Sequence, residues 1–462
     1  MEVPMKKFIG GLTTASVIVG LCAAGNAFAT NGYFTHGIGT KNKSMAGSGI
    51  AMPEDAIDIT NNPAVAAVVG DHFILGIAAF SPARKYETTN SQLNGQFGAF
   101  TIGPNDLKSD NDWFFIPHVA RNWQLNNGNA IGLAFYGRGG MNTTWNGGTA
   151  TFDPDGPGPA PVMTLDGTFG NGRAGVDLSQ AFLDVAWGKT FNERFSIGAS
   201  AVLVAQAFKA YGIGTFAGFT ETFAASGGTV MPQNLSNNGK DWSYGAGFKV
   251  GFHTQINDAF SIGLAYQSKI WMNEFDDYSD LFANQGDFDI PADLKFGITF
   301  RPNDRFAMNF DIEQIWYSDV DSVGNSIANI FSCPTAGQGG TDLSSCLGGD
   351  NGAGFGWEDM TVYKAGLTYK AGEDWTWRFG YSYGKQPIPG SEMTFNILAP
   401  ATIQSHITAG FTLNRTPNRD INLAIMYAPN KKVTGPQNFD PTQNVSFEMY
   451  QWEVEFSYGW RF

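Results

Sequence analysis

The chain has 462 residues, with 28 Lys and Arg against 42 Asp and Glu for a formal charge of −14, and it combines 14% aromatics and 58 Gly with only 15% charged residues. That acidic balance excludes nucleic acid as a partner, and no stretch beyond the N-terminus nears the run of about 18 apolar residues that a membrane-spanning helix needs. Membrane insertion, if it occurs, must then be as a closed barrel, and glycine- and aromatic-rich composition suits short twisted strands.

Residues 1–29 carry Lys6 and Lys7, an apolar stretch at 8–24 and the small-residue site Ala27-Phe28-Ala29, the layout of a cleaved secretory signal. Gly10, Gly11, Thr13, Thr14, Ser16 and Gly20 interrupt the stretch, which is short for a span of about 20 residues. Cys22 follows Leu21, where lipid attachment wants a small residue. The mature chain is expected to start near Thr30 with 26 Lys and Arg (28 less 2) and 41 Asp and Glu (42 less 1).

Residues 30–70 show no transmembrane alternation. Their glycines would permit a disordered tail, but Tyr33, Phe34, Ile38, Met45, Ile50, Met52, Ile57, Ile59 and Val65 are too many apolar groups for a segment at ease in water. A plug folded inside a barrel accounts for them better.

From residue 71 onward the period is two. Trp375, Trp377, Phe379, Tyr381 and Tyr383 alternate with Thr376, Arg378, Gly380, Ser382 and Gly384, so successive side chains face two different surroundings. Fourteen strands are predicted, beginning near His72, Trp113, Asn129, Leu178, Arg194, Asp241, Ala259, Ala292, Arg305, Trp357, Asp374, Gln404, Asp420 and Val445. Six connections are short (125–128, 191–193, 256–258, 301–304, 371–373 and 414–419) and rich in turn residues. Seven are long (86–111, 142–177, 211–240, 273–291, 319–356, 385–402 and 431–444). Strict alternation of the two is the pattern of an outer-membrane barrel, with turns in the periplasm and loops outside. Gly137, Gly139 and Gly140 mark either a bulge in the third strand or the start of a loop.

In the long connections, Phe216, Phe219 and Phe223 are spaced near one helical face, and Phe275, Tyr278, Leu281 and Phe282 cluster in the next loop. They either bind a hydrophobic ligand or pack the loops together as a lid. Cys333 and Cys346 share one loop, and an oxidising compartment makes them an expected disulfide. Metal binding is the sharper alternative, but no His or further Cys is near, and a tetrahedral site needs four ligands. Interior charges such as Asp311, Glu313, Lys364, Arg378 and Glu455 line a polar path or pair with one another and the plug.

The last strand is the clearest. Tyr450, Trp452, Val454, Phe456, Tyr458, Trp460 and Phe462 alternate with Gln451, Glu453, Glu455, Ser457, Gly459 and Arg461, an aromatic face for lipid backed by a polar one. An aromatic final residue resembles the C-termini of Gram-negative outer-membrane barrels.

The start Gly32-Tyr33, the run Ala46-Gly47-Ser48-Gly49-Ile50-Ala51, the group Glu54-Asp55-Ala56, then Asn62-Pro63-Ala64 ahead of fourteen strands resemble the long-chain fatty acid transporter (FadL/TodX) family of outer-membrane hydrophobic-compound channels. Pro117-His118-Val119-Ala120, leading through a short turn to Ile131-Gly132-Leu133, is similar to that family's second hairpin. The resemblance implies a signal at 1–29, a hatch at 30–70 and an all-β fourteen-stranded antiparallel barrel at 71–462. It also implies capture of a fatty acid or other hydrophobic compound by the outer loops, passage to an internal pocket and sideways release into lipid. Tyr33 and Phe34 would touch the ligand, with Phe216, Phe219, Phe223, Leu281 and Phe282 above, and Asn62, Pro63 and Ala64 would flank the gap. The family often has Gly-Phe at its start, so Tyr33 adds a hydroxyl here. A monomer without cofactor or metal is expected. Rival readings are a diffusion porin for polar solutes and a surface adhesin or receptor barrel; no Gly-x-Ser-x-Gly or His-Glu-x-x-His motif supports an enzyme.

Overall fold

The computed structural model describes residues 30–153, 161–192 and 194–462. The signal segment with Cys22, and Glu193 of the connection 191–193, lie outside them. Fourteen antiparallel strands follow in chain order: β1 His72–Thr88, β2 Phe114–Gln124, β3 Asn129–Trp145, β4 Ala174–Asn192, β5 Phe195–Tyr211, β6 Asp241–Gln255 and β7 Phe260–Gln267. The second half comprises β8 Asp293–Asn303, β9 Phe306–Ile315, β10 Met360–Lys370, β11 Trp375–Gly384, β12 Ser405–Thr416, β13 Arg419–Gln437 and β14 Asp440–Arg461. Each pairs with its chain neighbour, and β14 returns to β1 in a register running from His72 opposite Arg461 to Thr88 opposite Val445. The ring is thus closed, which leaves no open sheet edge to face hydrocarbon.

Alternation decides which face is which. On β14, Tyr450, Trp452, Val454 and Phe456 are 45–47% exposed while Glu453, Glu455 and Ser457 are at most 2% exposed. On β11, Trp375, Trp377, Phe379, Tyr381 and Tyr383 are likewise outside while Arg378 and Ser382 are buried. A continuous apolar belt outside and a polar lumen is the inverse of a water-soluble sandwich, and lipid is the solvent it fits.

The fourteen predicted starts fall within a few residues of the observed ones, with three adjustments at the loop end. Trp357 is not in a strand: β10 begins at Met360, and the Trp357 side chain is buried among other rings. The connection 431–444 is not a loop. β13 and β14 stay paired beyond the belt to Gln437 opposite Asp440, leaving Asn438 and Phe439 as the turn, because two-residue loops suit the twist of paired strands. The connections 86–111 and 142–177 contain a small three-stranded sheet of Phe100–Ile102, Thr149–Phe152 and Met163–Asp166. Cys333 and Cys346 are joined by a disulfide within the connection between β9 and β10.

Residues 30–70 fill the lumen, and among them Val68 alone is exposed. Two features of the wall hold them. First, several inward positions against which the plug lies closely carry glycine. A Cβ at Gly198 would lie 2.3 Å from the Pro63 carbonyl carbon, at Gly380 2.2 Å from that of Met45, at Gly263 2.7 Å from the Ile50 oxygen, and at Gly410 2.5 Å from the Ser44 Cβ. Second, charges pair across the contact. Lys43 sits between Glu453 and Glu455 at 2.6 Å each. Arg378 grips Glu54 through Nε and Nη2 at 3.0 and 2.5 Å, and Asp311 accepts from the Gly49 and Ile50 amides at 2.7 and 2.9 Å. Burial alone lowers the pKa of the Lys43 ammonium, but the two carboxylates override it and hold the group charged. Within the plug, Asp58 accepts from the Glu54 and Asp55 amides to cap the 3₁₀ turn Ala56–Thr60, and Asn62 caps Pro63–Val65 by accepting from Ala64.

Two substitutions test this seating. Gly380→Ala should wedge the plug off the wall at a cost of about 1–3 kcal/mol, and Lys43→Met, which strands two buried carboxylates, should cost about 3–5 kcal/mol. Both should raise ion conductance in planar bilayers and speed proteolysis at 30–70 with the barrel intact. Conductance and cleavage at wild-type levels in both variants would contradict the account.

Candidate functional site

At the loop end, apolar side chains from four connections and from the ends of β4 and β5 converge on a cavity of about 40 Å³ lined by Val176, Phe208, Ile213, Phe216, Leu235, Leu281, Phe282, Leu347, Phe355, Phe395 and Leu398, with Ser322 as a polar neighbour. Space of that size admits only a few water-sized groups, so a larger ligand must part the rings. Among the described residues, no charged side chain lines it.

From the cavity a file of rings leads inward. Phe208 meets Phe282 at 4.7 Å between centroids, Phe282 meets Phe288 at 4.9 Å, Phe288 meets Tyr33 at 6.1 Å, and Tyr33 meets Phe34 edge-on at 5.1 Å. Tyr317 and Trp357 flank the inner pair, 5.3 and 5.9 Å from Tyr33. The Tyr33 and Phe34 rings are fully buried, and among the described residues the Tyr33 hydroxyl has no hydrogen-bond partner. Burial, more than the nearby Tyr317, pushes that phenol well above its ordinary pKa, so it is a neutral potential donor at the inner end of the file.

The file ends at a break in the wall. β2 and β3 are paired from Gln124 opposite Ala130 up to His118 opposite Tyr136, and no further. Phe114 to Pro117 of β2 continue to pair with β1 but lose β3, a stretch of about 13 Å at strand spacing. Two sequence features cause this. Pro117 has no N–H to give, and β3 bulges, with Gly137 to Gly140 spanning Ala181 to Ser179 of β4 and so adding one residue. The groups freed by the break are taken by the plug: the Thr35 amide donates to the Arg138 carbonyl at 2.8 Å and the Gly140 amide to the Tyr33 carbonyl at 3.1 Å. Phe34 bridges Gly139. The Arg138 side chain points into the lumen, bonded to Gln267 and Asp293 at 2.6 and 2.5 Å and lying 4.2 Å over the Phe34 ring. Higher up, Asp110 donates to the Thr144 carbonyl and Thr144 to the Ser109 hydroxyl, which bounds the break from above.

The predicted site residues divide accordingly. Phe216, Leu281 and Phe282 line the cavity, and Tyr33 and Phe34 lie at the inner end of the file. Phe219 is in the ring cluster beside Phe216. Phe223 does not share a face with these two: extended Thr220 separates the 3₁₀ turn Gly214–Phe219 from the helix Glu221–Ala225, since its hydroxyl caps the latter by accepting from the Phe223 amide. Asn62, Pro63 and Ala64 are not beside the break. They sit lower, against Gly188, Gly198 and Gly251 of β4, β5 and β6, where Asn62 also donates to the Phe252 carbonyl at 2.9 Å. Lys364 bonds Glu313 and the His36 carbonyl, so it and Arg378 are partnered with wall and plug. Sequence reasoning missed Phe208, Phe288, Phe355, Phe395 and Arg138. Arg138 carried a signal, as the large residue inside a glycine cluster; the phenylalanines carried none beyond being apolar residues in or near polar loops.

The family model described as Outer membrane protein transport protein (OMPP1/FadL/TodX) matches residues 172–458. Among solved structures, the chain is similar to the Pseudomonas putida toluene transporter TodX, with a TM-score of 0.61 and 16% identity over 94% of this chain and 100% of that one. A Pseudomonas aeruginosa FadL homologue gives 0.62 and 16% over 95% and 100%. The Ralstonia pickettii toluene transporter TbuX gives 0.57 and 17% over 93% and 99%. At these identities the structural likeness is one of fold. Comparison with curated proteins finds no match. The family match spans more than half of the chain, which therefore belongs to the OMPP1/FadL/TodX family of outer-membrane proteins that transport hydrophobic compounds and are not enzymes.

Proposed function

We propose that this protein takes an uncharged hydrophobic compound into the loop cavity on the extracellular side, passes it along the ring file to Tyr33 and Phe34, and releases it sideways into lipid. The exit is the break between β2 and β3, and residues 30–70 are the hatch. One observation carries the reading: apolar side chains run without interruption from the cavity to the plug residues that fill the break. An apolar ligand gains about 0.8 kcal/mol per CH₂ on leaving water for such surroundings, whereas a lumen occupied by a buried plug offers a polar solute no open pore.

The choice of an uncharged ligand over a fatty acid rests on the lining. A carboxylate entering the cavity would find no cation there, and an unpaired buried charge is disfavoured. Two of the similar structures are toluene transporters, in keeping with this preference. In this scheme Phe216, Leu281 and Phe282 form the outer contact, with Phe219 behind them and Phe223 outside it. Asn62, Pro63 and Ala64 act as the fixed lower anchor about which the segment 30–36 moves. The protein works as a monomer, with the membrane lipid as acceptor.

Two measurements test the scheme. Solvent extraction of natively purified protein followed by mass spectrometry should recover a neutral hydrophobic compound; consistent recovery of free fatty acid would overturn the uncharged-ligand choice, and recovery of nothing from repeated preparations would count against the channel itself. A disulfide between cysteines replacing Phe34 and Gly139 should hold the segment on the bulge and lower uptake of a hydrophobic substrate by about tenfold or more, with recovery on reduction. Uptake at the level of the reduced double variant while the bridge is intact would rule out the moving hatch.

A further inference from the structure

A second interruption of the wall ladder lies one strand away from the first. β1 pairs with β2 from His72 to Phe80 and with the short strand Asp106–Lys108 from Lys85 to Glu87, so Ser81 to Arg84 have no ladder partner on that side. Pro82 has no N–H to offer, and residues 109–113, which lead from the short strand to β2, return to β1 a bond from the Ser109 amide to the Arg84 carbonyl at 3.0 Å. A cavity of about 400 Å³ lies here, lined among others by Arg84, Lys85, Lys108, Asp112, Glu448 and Tyr450. It opens on the outer face of the barrel, because Ala83 and Lys85 stand opposite Tyr450 and Glu448, outward positions that alternate with buried Arg84 and Met449. Tyr450 belongs to the apolar belt and Glu448 is the next outward position beyond it, which sets the cavity at the depth of lipid headgroups.

Arg84 gives the cavity its chemistry. The residue is 4% exposed, and among the described residues it forms no ion pair. Its Nη2 donates to the Asn111 carbonyl, its Nε has no partner among the described residues, and the Phe114 ring faces the guanidinium at 5.7 Å. A guanidinium taken out of water without an anion is costly. Lys108 forms no ion pair among the described residues either, and it stands directly opposite Lys85, a placement in which like charges repel. Lys85 is itself engaged by Glu87 and Asp106. Of the two carboxylates in the lining, Glu448 accepts from Asn430 at 3.0 Å, and Asp112 pairs with neither Arg84 nor Lys108. Two cations at one cavity are thus left without a carboxylate in contact among the described residues.

We propose that this cavity binds the phosphate of an outer-leaflet lipid, with Arg84 as the principal partner of the anion and Lys108 as the second. Location selects a lipid over a dissolved anion: Tyr450 leads into the belt on one side, and Trp113 and Phe115, 65% and 53% exposed, lie on the other, so an occupant with its head at Arg84 has apolar surface for its chains. Chemistry selects a phosphate, since a guanidinium fork joined by an ammonium suits a tetrahedral oxyanion carrying more than one charge. Phe114, which the guanidinium faces, is the first residue of the stretch of β2 that has lost β3, so a lipid seated here borders the break in the wall. The assignment does not depend on which compound the channel carries.

Native mass spectrometry of the detergent-purified full chain tests it, with dioleoyl phosphatidic acid and dioleoylglycerol as probes. Phosphatidic acid should bind about tenfold or more tightly than the diacylglycerol, which has the same chains and no phosphate. Arg84→Met should remove about tenfold of that affinity and Lys108→Ala about threefold, and neither should move the diacylglycerol. If Arg84→Met does not yield a heat-modifiable barrel, Lys108→Ala, at an exposed side chain, decides alone. Equal binding of the two lipids, or phosphatidic acid affinity unmoved in the variants, would overturn the inference. Competition by inorganic phosphate or by oleate at the same concentration as phosphatidic acid would overturn it too, by making the site one for a free anion or for a fatty acid.

Discussion

Backbone groups placed in hydrocarbon have no water to bond, and the whole architecture follows from satisfying them inside the chain. The pairing of β14 with β1 over seventeen residue pairs closes the ring and removes both sheet edges. Against that constraint, the place where β2 and β3 part is costly unless other groups take over. Here they are plug and loop groups: Tyr33 and Thr35 engage β3 at its bulge, and Ser109 and Asp110 engage it higher up. The opening and its stopper are therefore one structure, and the plug's start is coupled to the wall at the position where a ligand would leave.

The remainder of the plug is held by complementary means. Glycines on the inner wall let backbone lie on backbone, and ion pairs such as Lys43 with Glu453 and Glu455 fix the register. Buried ion pairs are weak sources of net stability but strict about geometry, because a displaced plug would leave charges unpaired in a confined lumen. Besides hydrogen bonds from Tyr317 to the Asn31 carbonyl and from Lys364 to the His36 carbonyl, the segment 30–36 is held by a short backbone ladder and aromatic contacts on its outer side. Non-directional contacts of that kind tolerate rearrangement better than the charged seat below.

Much of this was legible in the chain. Period-two alternation placed the strands, since each side of a barrel wall meets a different solvent, and β14 is as clear in the sequence as in space. The apolar content of 30–70 announced a plug. Short and long connections alternated because one end needs only turns. The glycines at 198, 263, 380 and 410 were also readable, each at an inward position of its strand, although their common role appears only when the plug is seated. Less was legible at the site. Phe216 and Phe282 look no different in sequence from Phe223, yet Thr220 turns the chain between them. Asn62-Pro63-Ala64 is a helix-capping sequence, and its local chemistry does not say which strands it rests on.

By itself, then, the sequence determined the barrel, its strand number, the polar lumen and the presence of a plug, because these depend on local periodicity and on the contrast between lipid and water. Tertiary structure decided the rest. It brought Phe208, Phe288, Phe355 and Phe395 from separate strands and loops to one apolar path, turned Arg138 from the bulge across the lumen to Asp293, and carried β13 and β14 up until Phe439 met the rings of four connections. Such contacts join residues from tens to hundreds of positions apart, and hydrophobic association is non-directional, so no local pattern encodes which apolar side chain meets which.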